Sequence, residues 1–88
     1  MSDLTTDLQS AARRAQQARQ EELAAAERLD IASRALVDAT RDWAPLGTIR
    51  QLRATQVEAA LVLSRATAAR LAADSRRAAL VTMRVGDV

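Results

Sequence analysis

From Asp3 to Ala44 the chain contains neither Gly nor Pro, and the same holds from Thr48 to Val85; Pro45 and Gly47 sit together in the one interruption between these runs. Both runs are rich in Ala, Leu, Gln, Glu and Arg, which rank among the strongest helix formers. The spacing predicts an all-α chain of two long helices. Ser2 reads as an N-cap with Asp3 in the first turn, where a negative charge suits the helix dipole. Pro45 disfavours helical geometry at Ala44, Thr48-Ile49-Arg50-Gln51 reads as a capping box, and Gly86 stands where a C′ glycine belongs. The predicted organisation is one domain, 1–88, with a first helix over about 3–44, a turn at 45–48 and a second helix over about 49–85. Each helix is then roughly 55–65 Å long. So short a connection makes the two antiparallel neighbours, a hairpin.

Heptad spacing refines this to an Ala-rich antiparallel coiled coil. Positions alternately four and three apart in the first helix read Leu4, Leu8, Ala11, Ala15, Ala18, Glu22, Ala25, Leu29, Ala32, Leu36, Ala39 and Trp43. Ala recurs at every seventh residue from Ala11 to Ala39, and small side chains let two helices approach closely. The second helix carries two stripes. One reads Ala54, Val57, Leu61, Ser64, Ala68, Leu71, Ser75, Ala78, Thr82 and Val85, with no charge in it. This cleaner stripe is the expected partner of the first helix. The other face holds Leu52, Ala59, Leu63, Ala66, Ala73 and Leu80, interrupted by Arg70 and Arg77. A helix apolar on two sides is normally contacted on two sides, so these six residues are the expected interface between subunits, and a four-helix bundle the expected assembly. An 88-residue chain whose apolar half is led by Ala, with Trp43 its single aromatic, has little core of its own, and oligomerisation is the usual remedy.

Charges support the hairpin. The segment through Ala44 has eight acids and six Arg, and the remainder has three acids and seven Arg. Folding about the turn brings residues whose numbers sum to about 92 to one level. Asp42 then meets Arg50, Arg34 meets Glu58, Glu27 meets Arg65, Glu22 meets Arg70, and Arg19 lies near Asp74. The net charge is only +2, and the high pI follows from the absence of Lys, since every base is Arg.

With neither His nor Cys, the chain lacks the commonest general base, the commonest zinc ligand and every thiolate or disulfide. Its two glycines are isolated, which excludes a phosphate-cradling loop. The acidic pairs Glu21-Glu22 and Asp38/Asp42 read as solvated faces, because a bundle metal site needs carboxylates from facing helices. No catalytic, cofactor-binding or metal-binding residue is predicted, and the chain reads as no enzyme. No apolar run approaches the ~20 residues that span a bilayer, and the first residues lack a signal-peptide pattern, so no membrane partner and a cytoplasmic location are expected.

Three features remain as candidates. Glu22, the one charge in the first seam, is a candidate register-setting residue. Arg70, Arg77 and Arg84, seven residues apart, are candidate phosphate contacts for a nucleic-acid partner, although acids at the same end of the hairpin nearly cancel them. Trp43 has two readings: a plug closing the turn end of a thin core, the favoured one because it falls in phase with Leu29 and Leu36, or an anchor for a partner. In length and topology the chain is similar to small secreted hairpin proteins of the WXG100 type, which carry Trp-x-Gly between two helices. Here Trp43-Ala44-Pro45-Leu46-Gly47 gives Trp-x-x-x-Gly, and the family's Tyr-based export signal has no counterpart. The likeness is of topology, and it implies leaderless secretion with a heterodimeric partner. The expected function is a non-catalytic helical interaction module, a structural or adaptor subunit acting as a homodimer or with a helical partner. A small nucleic-acid-associated regulator and a secreted WXG100-like hairpin are the alternatives.

Overall fold

The computed structural model describes residues 2–86, and these form two α-helices in a hairpin. α1 spans Ser2–Arg41 and α2 spans Leu46–Gly86. The molecule is a rod with Cα extents of 65 × 15 × 13 Å. No described helix is long and apolar enough to cross a membrane.

The α1 seam is the predicted one. Its buried residues are Ala11, Ala15, Ala18, Ala25 and Ala32, and no large side chain in the described chain is fully buried. Leu4, Leu8, Leu29, Leu36 and Ala39 complete the line at intermediate exposure. Each buried methyl contributes on the order of 1 kcal/mol. So small a core holds two helices together only because Ala permits close backbone approach.

The ends of the helices differ from expectation. Ser2 is the first helical residue of α1 rather than the residue before it. α1 ends at Arg41, three residues short of Ala44, because the chain closes on itself there. The Trp43 N–H donates to the Thr40 carbonyl at 3.3 Å, and the Ala44 N–H donates to the Ala39 carbonyl at 2.9 Å. This is the Schellman arrangement, which requires a left-handed residue at C′. Trp43 fills that position with φ 57°. Glycine usually does so, since a Cβ there is crowded by the following carbonyl. Pro45 then prevents further helix and begins the next one, its carbonyl accepting from the Ile49 N–H at 3.1 Å. Thr48 accordingly lies inside α2, and the predicted capping box is not formed. Gly86 is the last helical residue and has no positive φ.

The left-handed backbone at a bulky residue carries a strain of about 1–2 kcal/mol. Trp43→Gly should therefore raise the unfolding free energy by about 1 kcal/mol, part of the relief being offset by glycine's greater freedom in the unfolded chain. Trp43→Ala keeps the Cβ and should change it little. Chemical denaturation followed by circular dichroism checks both.

Candidate interaction surface

Three cross-helix contacts fix which face of α2 meets α1. Gln56 Nε2 donates to Ser33 Oγ at 3.1 Å, Arg70 Nε to Glu22 Oε1 at 2.7 Å, and Arg19 Nη2 to Asp74 Oδ1 at 3.2 Å. In phase with them, Ile49, Leu52, Ala59, Leu63, Ala66, Ala73 and Leu80 are all partly buried. These positions form one heptad line, Ile49-Leu52-Gln56-Ala59-Leu63-Ala66-Arg70-Ala73. The two faces of α2 are thus interchanged relative to the sequence reading. Leu52, Ala59, Leu63, Ala66, Ala73 and Leu80, expected between subunits, are the intrachain seam. The charge-free stripe, expected against α1, faces outward, with Leu61 52 % and Leu71 56 % exposed. A charge in an apolar seam is costly unless paired, which made the Arg-bearing face look unfit for it. The cost is offset because Arg70 sits opposite the one acid in the α1 line.

The polar layer this creates is larger than one pair. Arg70 Nη1 also reaches Asp74 Oδ2 at 3.3 Å, so Arg19, Glu22, Arg70 and Asp74 form an alternating chain of charges across the two helices. Hydrogen bonding from Thr67 and from the Arg70 guanidinium holds the Glu22 carboxyl below its ordinary value near 4.5. The same carboxylate raises the Arg70 pKa further. The predicted height matches Glu22–Arg70 and Arg19–Asp74 are both formed. Arg34 instead pairs with Asp30 within α1 at 2.9 Å, and Asp42–Arg50 and Glu27–Arg65 make no ion pair among the described residues. Arg70 is consequently bound to two carboxylates and faces α1, apart from the exposed Arg77 and Arg84. The expected three-Arg stripe is not a continuous surface.

Trp43 is 91 % exposed, which overturns the plug. Its in-phase position with Leu29 and Leu36 counted only while α1 was taken to continue; the left-handed turn at Trp43 itself removes it from the helix. Leu46, three residues on, is 61 % exposed, so the turn end presents an aromatic and an aliphatic side chain to solvent. Sequence reasoning missed the role of Thr67; it matched Arg70 to Glu22 in height but placed it on the face turned from α1 and also read it as a phosphate contact. The signal for Arg70 was its heptad phase with Leu63 and Ala66, together with its height opposite Glu22.

No family model, curated protein or solved structure matches the chain.

Two expectations follow. A carboxylate whose pKa is lowered on folding contributes stability that is present above its unfolded value and is lost as pH falls through the folded one. Glu22→Gln should therefore be less stable than the parent at neutral pH, with the difference vanishing in acid; thermal melts over a pH series measure it. Trp43 should emit like indole in water and be fully quenched by acrylamide, whereas a blue-shifted, protected emission would mean that something covers the turn.

Proposed function

We propose that the protein is a non-catalytic helical interaction module that associates with itself through coiled-coil faces into a four-helix assembly. In this reading it is a structural or adaptor component of a larger protein complex. The observation that carries the reading is the outward stripe of α2. Ten positions from Ala54 to Val85 carry no charge and stand in solvent, on a helix whose other apolar face is already used.

Surface area supports it. A compact monomer of 9.5 kDa exposes about 5,000 Å² by the usual scaling. This chain exposes 6780 Å². The excess of this one chain is about twice the ~800 Å² that each partner buries in an ordinary protein–protein interface, so there is area enough for one. Trp43 and Leu46 stay at the turn as contacts for a further partner, and Trp is enriched at binding hot spots. Protein is preferred to nucleic acid as that partner because Arg70 is engaged with Glu22 and Asp74, leaving Arg77 and Arg84 without their third member.

Two substitutions separate the faces. Leu71→Arg, on the outward stripe, should convert a dimer to monomer in sedimentation while preserving most of the helical signal. Leu63→Arg, in the seam, should instead unfold the hairpin, at a cost of about 2 kcal/mol or more. A parent protein that sediments as monomer at tens of micromolar would refute self-association.

A further inference from the structure

The outward stripe of α2 has an internal order that bears on how it is covered. Read from Ala54, its members are Ala, Val, Leu, Ser, Ala and then Leu, Ser, Ala, Thr, Val. Reversed and laid against itself about a point between Ala68 and Leu71, the stripe matches a larger residue with a small one at three of five levels, two β-branched residues at a fourth and two serines at the fifth. Ala54 meets Val85, Val57 meets Thr82, Leu61 meets Ala78, Ser64 meets Ser75, and Ala68 meets Leu71. We infer that the occupant of this face is a second copy of the chain, running antiparallel, with a twofold axis passing between Ala68 and Leu71. The inference rests on the self-association proposed above and adds its direction and register.

Packing is the physical reason. In the reversed pairing four of the five distinct layers have a similar combined volume, so one interhelical distance suits them, and only the Ser64–Ser75 layer is small. The parallel alternative stacks like on like. Leu61 and Leu71 would then face their own copies and hold the helices apart, and the Ser64, Ala68, Ser75 and Ala78 layers would be left underfilled. One feature favours the parallel arrangement: Arg53 and Glu58, exposed and without ion pairs among the described residues, would flank the stripe five residues apart and bridge to each other across it. Such pairs are solvent-exposed and worth little, whereas gaps recur along the whole underfilled half of the stripe. The antiparallel pairing sets no like charges against each other, and its contact is isologous, as closed dimers require. It also places the α2 helices at the centre and α1 outside. The two turns, each with an exposed Trp43, then project from opposite ends.

The chain has no Cys, so engineered thiols report pairing directly. Ser64→Cys and Ser75→Cys are prepared separately and oxidised alone and as an unfolded-and-refolded mixture. The antiparallel register predicts a disulfide between the two variants in the mixture and none in either variant alone, because two Ser64 positions would lie roughly 16 Å apart along the rod. Efficient cross-linking of Ser64→Cys to itself overturns the inference and establishes the parallel arrangement, leaving self-association intact. A parent that is dimeric in sedimentation but forms neither disulfide means another face is used. A monomeric parent removes both the direction and the association. Small-angle scattering of the unmodified protein gives a second readout. The antiparallel dimer extends roughly 75–80 Å, about 38 Å from the axis to each turn; a parallel one stays near the 65 Å of the single hairpin.

Discussion

Close backbone approach along an Ala seam is the constraint on which the rest of this molecule depends. Dispersion contacts are individually small and fall off steeply with separation, so helices that bury five Ala methyls and no complete large side chain cohere only at short range. Short range in turn leaves no room for a mismatched bulky group. It also makes the register of one helix on the other the main variable, because Ala facing Ala is nearly the same in every heptad shift. The seam is therefore stable in more than one alignment unless something other than size distinguishes them.

The Glu22–Arg70 layer supplies that distinction. Both residues occupy heptad positions, both are partly buried, and each is the other's counter-charge at 2.7 Å. Sliding α2 by one heptad would set Glu22 opposite Leu63 or Arg77 and leave Arg70 against Ala15 or Leu29. The flanking Arg19–Asp74 contact would break with it. A half-desolvated charge without its partner is penalised more than the pair is rewarded, so the layer acts chiefly against wrong alignments. Glu22, the candidate register residue, is thus half of a pair whose other half sits in the second seam.

Much of this was legible because helix-forming runs, a single Pro/Gly break and a heptad line each give the same answer. The α1 seam from Leu4 to Ala39 could be read without error from spacing alone. What failed was the choice between two apolar faces of α2. Counting charges on each face treats a seam position as an isolated cost, whereas the cost depends on what stands opposite. Arg70 could be assigned correctly only by combining heptad phase with height along the rod. Trp43 failed for a different reason: a left-handed C′ is forecast from glycine, and nothing in the local sequence marks a Trp as its occupant. The Pro45 that follows shows that α1 must stop, not where.

The strained turn and the outward stripe bear on each other. A hairpin needs its turn to close α1 and release α2 within a few residues, and glycine at position 43 would do so with less strain. The chain instead places its only aromatic there, 91 % exposed, in a backbone conformation that directs it away from the helical seam. Exposure of an unneeded Trp lowers solubility, and a left-handed bulky residue lowers stability, so neither is favoured by the requirements of folding alone. The outward stripe has the same character, since Val57, Leu61 and Leu71 leave half their surface in solvent, where it contributes nothing to the isolated hairpin. Burial of the stripe against another chain would leave the turn untouched, because the stripe begins at Ala54, beyond the first turns of α2. Association through one face and recognition through the other end are thus compatible in a single rod. A surface that costs stability in two separate places, while its core holds only Ala, fits the interaction module proposed above.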